Sequence, residues 1–209
     1  MSNKPKIFTG KRVCIICEGH EETEYIKRIK GLNVFSRNYN IRVINAMSIS
    51  TIFPKYQYEF SNKTNDIVLV FSDGDNNSDD YQKLKKDINE HHDNDVASDI
   101  IFFANPCTMQ IILSHFDAIR LSSRNKKKNA PIIKRLTGID NYHANKDQID
   151  ELMKKIIQSN YQIMKANIST IVNDDTATPS TNFLRLIEYL ENDDPSWLDT
   201  INQKIFLEK

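Results

Sequence analysis

Two stretches of this chain are apolar at every position and then stop abruptly. Val13-Cys14-Ile15-Ile16-Cys17 runs into Glu18-Gly19, and Ile67-Val68-Leu69-Val70-Phe71 runs through Ser72 into Asp73-Gly74-Asp75. A strand with one wet face alternates apolar and polar residues. Unbroken runs of this length predict strands covered on both faces, as in a parallel sheet wrapped by helices. The first strand is expected at residues 11–17 and another at 66–72. Between them, Tyr25, Ile26 and Ile29 share one face of a helix over 21–31, and an alternating strand fills 39–46. Residues 48–60 predict a further helix, with Pro54 either weakening it or marking its start. Ser78 or Asp79 caps a helix reaching about residue 91, a fourth strand follows at 99–104, and Asn105-Pro106 opens a helix containing Met109, Ile112, Leu113 and Phe116.

This alternation predicts an α/β domain over residues 1–120, with an open, mainly parallel four-stranded sheet flanked by helices. The pattern then changes. Residues 122–130, with Arg124, Lys126, Lys127 and Lys128 at their centre, read as an exposed basic loop. From Pro131 onward no strand is predicted, only helices near 132–136, 146–168, 180–191 and 197–206. Residues 121–209 are therefore expected to form a basic loop and a helical C-terminal region.

Chemistry enters through the strand ends. In open α/β sheets the ligand site lies off the carboxyl ends of the strands. Glu18, Asp73 and Asp75 would share that edge, and carboxylates brought together repel unless a cation separates them. The expectation is a Mg²⁺ site, with Mn²⁺ as a substitute. Glu22, one helical turn beyond Glu18, could reach the same edge or simply favour the helix N-terminus. Asp79 and Asp80 suit a helix start, and His91-His92 is expected to be solvated at the far end of a polar helix. Cys14, Cys17 and Cys107 do not form a disulfide framework, and the first two sit inside a strand, so buried thiols are expected rather than a zinc or redox pair.

The 28 basic and 28 acidic residues cancel overall but are unevenly spread. Residues 66–99 hold ten acids against three lysines, and 120–165 hold eleven Lys and Arg against four acids. An acidic edge beside a basic segment suits a phosphodiester substrate, although solvated helix faces would give similar counts. No apolar run approaches the roughly 20 residues that span a bilayer, and the basic lead-in is not followed by a signal-like apolar region. A cytoplasmic protein without membrane contact is expected.

These residues resemble a known signature. Glu18-Gly19, a β-α-β passage and Asp73-Gly74-Asp75 look like the TOPRIM motif shared by topoisomerases, bacterial primases, recombination-repair proteins and OLD-family nucleases. The segment VCIICEGHEETEYIKRI is similar to the EGxxE opening of the OLD-like branch, which places Glu22 on that branch's additional acid. IIFFANPCTMQIILSHFD resembles the SNPxFExWLLLHF segment of RloB-like proteins, and TPSTNFLRLIEYL resembles their NPST helix. One departure stands out: Thr108-Met109 replaces the family's Phe-Glu pair. Lys146 falls near a lysine that the family places after an aromatic residue, here Tyr142, and would either touch phosphate or stand as a solvated surface lysine.

The resemblance implies a TOPRIM-like fold and a Mg²⁺-dependent nuclease on DNA or RNA, of the kind associated with phage defence and abortive infection. Asp73 and Asp75 would hold the metal, and Glu18 would be a further ligand or the general base. Glu22 joins them as a catalytic candidate, and Arg124, Lys126, Lys127, Lys128 and Lys146 would bind the nucleic-acid backbone. No GxxxxGKS/T occurs, so ATP-driven control would require a separate ATPase partner. The chain is compatible with a homo-oligomer. It is too short for a strand-gating topoisomerase, and no zinc-ribbon spacing supports a primase. The missing glutamate keeps open an alternative, a catalytically weak nucleic-acid-binding or regulatory subunit. A small-molecule phosphatase using the aspartate pair is a third reading.

Overall fold

A computed structural model describes residues 10–74 and 78–206. Helices carry the chain between successive parallel strands, in the order β1 (Lys11–Cys17), α1 (His20–Gly31), β2 (Tyr39–Asn45), α2 (Ile52–Ser61), β3 (Ile67–Asp73), α3 (Asp79–His92), α4 (Ala97–Ile100), β4 (Ile101–Asn105) and α5 (Met109–Leu113). The remainder comprises α6 (Lys126–Thr137), α7 (Lys146–Lys155), α8 (Gln158–Ile168), β5 (Ser180–Thr181), α9 (Phe183–Glu191) and α10 (Ser196–Phe206). The sheet order is β2-β1-β3-β4-β5, parallel except for the last pairing. Register sets Cys17 beside Phe71, so β1 and β3 end side by side. Val13 to Cys17 and Leu69 to Phe71 are fully buried, as expected for strands covered on both faces.

The sheet has five strands, not four. Ser180 and Thr181 pair antiparallel with Asn105 and Ala104. Side chains extend this short ladder. Thr181 Oγ1 donates to the Phe103 carbonyl at 2.6 Å, while the Asn182 amide accepts from Phe103 N at 2.7 Å and donates to the Ile101 carbonyl at 2.9 Å. Two polar residues held this way carry no apolar alternation, which is why periodicity did not predict a strand after Pro131.

The expected basic loop is also corrected. Lys126, Lys127 and Lys128 form the first turn of α6, whose start is capped by Asn125 Oδ1 accepting from Lys127 N at 2.9 Å and Lys128 N at 3.3 Å. Pro131 lies inside this helix. Together with the charge run it mimics a breaker, although Asn129, Ile133 and Thr137 turn a buried face inward at helical spacing. Pro54, by contrast, sits in the first turn of α2, where proline is tolerated.

The later helices pack onto the sheet. Phe183 of α9 meets Phe71 of β3 at a ring separation of 4.9 Å and Tyr25 of α1 at 5.7 Å. Tyr25 Oη also pairs with His115 Nε2 at 3.0 Å, and burial holds that imidazole's pKa down to about 4. Trp197 of α10 stacks on Tyr189 and donates to Tyr39 Oη at 2.9 Å.

His92 is half-buried rather than solvated. Its Nε2 lies 2.8 Å from Tyr56 Oη, and burial lowers its pKa to about 4. The three cysteines are buried and unbridged, and burial pushes Cys14 up to about 11. No helix among the described residues is long and apolar enough to cross a membrane.

Candidate active site

The ends of β1 and β3 bring the predicted acids together. Glu18 N donates to the Phe71 carbonyl at 3.0 Å, continuing the ladder one residue past β1. Glu18 Oε2 then accepts from Asp73 N at 3.1 Å, fastening one acid to the backbone of the next. Gly19 caps α1, and its N–H donates to Glu22 Oε2 at 3.0 Å. Glu22 is thereby curled back toward the strand ends and satisfies an otherwise unpaired helix N–H. A Cβ on Gly19 would come within 3.0 Å of that same oxygen, so glycine here makes room for the carboxylate. Asp75 lies outside the described residues.

Asp73 is further fixed by Thr108. Its Oδ1 accepts from Thr108 N at 2.7 Å and from Thr108 Oγ1 at 2.8 Å. In the sequence Thr108 marks only the position of a missing family residue. The structure gives it a function: it orients the aspartate. Gly74 donates its N–H to the Ala104 carbonyl at 2.8 Å, and a Cβ there would stand 3.0 Å from Asn105 Cβ. Gly74→Ala is therefore expected to shift the β3–β4 contact and cost about 1–3 kcal/mol, read from urea denaturation.

Charge dominates the site. Burial, then the charge of Glu21, pushes Glu22 up to about 7. Burial, then Glu22 and Glu18, holds Asp73 well above the ordinary carboxylate range, against the opposing hydrogen bond from Thr108. Carboxylates so placed take up protons or a cation.

The donor set fits a hard divalent ion, because Glu18, Glu22 and Asp73 offer oxygen alone. Among the described residues no group of three or more His, Cys, Asp and Glu forms a ready metal cage. Their oxygens are instead turned in part to Asp73 N, Gly19 N and Thr108. Mg²⁺ needs no such cage, since it keeps several waters and is held through one or two carboxylates.

The acids line a cleft of about 310 Å³ to which α6, α7 and the segment between them also contribute. Arg124 and Lys126 belong to that lining. Lys126 Nζ donates to Glu21 Oε2 at 3.1 Å, and Tyr142 Oη donates to Glu21 Oε1 at 3.2 Å. Lys127, Lys128 and Lys146 are exposed outside the lining. Glu21 and Tyr142 were not singled out from sequence as site residues. Glu21 could have been found as the neighbour of Glu22 on the same first turn. Tyr142 carries no local signal, since its partner is 121 residues away.

Comparison with protein-family models, with curated proteins and with solved structures finds no match to this chain.

Proposed function

We propose that this chain is a divalent-cation-dependent nuclease, a TOPRIM-type phosphodiesterase of the RloB- and OLD-like kind, working in phage defence beside a separate ATPase. The observation that carries the proposal is the convergence of Glu18, Glu22 and Asp73 at the carboxyl ends of adjacent parallel strands, in a cleft that Arg124 and Lys126 also line. Glu18 and Asp73 would hold Mg²⁺ or Mn²⁺, with Asp75 as the further ligand that the resemblance implies. A cation bound there supplies charge neutralisation at phosphoryl oxygens and a more acidic water.

The protein's own groups do the rest. Thr108 holds Asp73 in one orientation. Glu22, which burial and the charge of Glu21 push up to about 7, would take a proton from an attacking water. Lys126, released from Glu21, would meet a substrate phosphate, and Arg124 lines the same cleft. Such contacts position a backbone without reading sequence. The test is cleavage of labelled DNA and RNA in Mg²⁺ or Mn²⁺ and its loss in EDTA. Nucleic-acid binding without cleavage would favour the second reading, a regulatory subunit, to which Met109 in the family's glutamate position points.

Cation binding carries a pH signature. Glu22 and Asp73 have folded-state pKa values raised above their unfolded values. The folded protein therefore binds more protons in the window between the ordinary carboxylate range and about 7, and these groups cost stability as pH rises through it. A cation must displace those protons, so its affinity falls as pH drops below the range in which Glu22 titrates, about 7. In thermal melts, Mn²⁺ is expected to raise Tm more at about pH 8 than at about pH 6. Equal shifts at both would place the ion elsewhere.

A further inference from the structure

The cleft lining is mixed: beside the acids it includes Met47, Met109, Ile133, Tyr142, Ala144 and Ile149, of which Met47 and Ala144 reach solvent. At about 310 Å³ the space lies at the small end of ligand sites and suits one nucleotide-sized group. Glu22 is only 6% exposed, and Glu18 and Asp73 are half-buried, so a reacting diester meets the acids inside the cleft. A paired helix is wider than a cleft of this volume and cannot bring a diester to its floor, whereas an unpaired strand enters one nucleotide at a time.

A separate feature marks the mouth. Met47 lines the same cleft, follows the end of β2, is 77% exposed and has φ of 77°. A long side chain on a left-handed backbone is strained, and such outliers gather at functional positions. The turn is held by Met47 N donating to Asn45 Oδ1 at 2.7 Å. A thioether offered to solvent at the rim is an adaptable apolar face for a base leaving the cleft.

Building on the nuclease reading, we infer that the substrate is an unpaired strand. One nucleotide enters the cleft with its phosphate toward the acids, and the next base meets Met47 at the rim.

The test uses the full chain with Mn²⁺ on a labelled single-stranded oligonucleotide (DNA and RNA forms), its blunt duplex, and the small diester bis(4-nitrophenyl) phosphate. The single strand is expected to be cut at least about tenfold faster than the duplex. Met47→Gly suits the positive φ, so it is expected to raise KM for the single strand several-fold without lowering Tm. Equal rates on duplex and single strand, or an unchanged KM in Met47→Gly, would overturn the substrate assignment while hydrolysis stands. No turnover of any of the three would instead overturn the hydrolytic reading. Fluorescence anisotropy then decides the inference alone: tighter binding of the single strand supports it, and equal or weaker binding refutes it.

Discussion

Asp73→Asn is expected to lower phosphodiester hydrolysis by roughly 10³-fold while leaving the fold at least as stable as the wild type. The two halves of this result have one cause. Asparagine keeps the size of the side chain and an oxygen that can still accept from Thr108 N and Thr108 Oγ1. It removes the charge that would bind a cation, and with it the repulsion from Glu22 and Glu18 that burdens the buried carboxyl. Activity and stability therefore move apart, the behaviour expected where a site is held in an electrostatically unfavourable state. Hydrolysis at saturating Mn²⁺, paired with a thermal melt, reads both. Activity within about tenfold of wild type in a folded Asp73→Asn protein would mean that Asp73 has no central part in the chemistry.

Phe183→Ala is expected to cost about 3–5 kcal/mol. Phe183 is fully buried on α9 and packs on Phe71, two residues before Asp73, and on Tyr25, in the helix that carries Glu21 and Glu22. Truncation empties a space that three elements share, and Tyr25 cannot follow freely because its hydroxyl is tied to His115. Urea denaturation measures the loss. A cost under about 1 kcal/mol would show that α9 does not brace the strand and helix that carry the acids.

Much of the acidic edge could be read from sequence because its cause is local. Runs that are apolar on both faces, ended by Glu18-Gly19 and Asp73-Gly74, define two covered strands, and adjacency of parallel strands brings their ends together. Where partners are distant the reading failed. Thr108 reaches Asp73 across 35 positions and Tyr142 reaches Glu21 across 121, with no periodicity to announce either contact. β5 escaped because the side chains of Thr181 and Asn182 supply hydrogen bonds that a longer strand would make with its backbone. The first half of α6 escaped for the opposite reason, although its end was expected near 132–136: Pro131 and the lysine run are strong local signals, and the Asn125 cap and the buried Ile133 outweigh them. Glu22 stood between two readings: the structure gives it the hydrogen bond of a helix-start acid, from the Gly19 N–H, at the edge where its charge acts on Asp73.

The most direct measurement is the anomalous difference map of a crystal soaked in Mn²⁺. A peak within coordination distance of both Glu18 and Asp73, absent from crystals of Asp73→Asn, is the predicted result. A well-occupied ion bound elsewhere, with no peak at this edge at saturating Mn²⁺, would contradict the account.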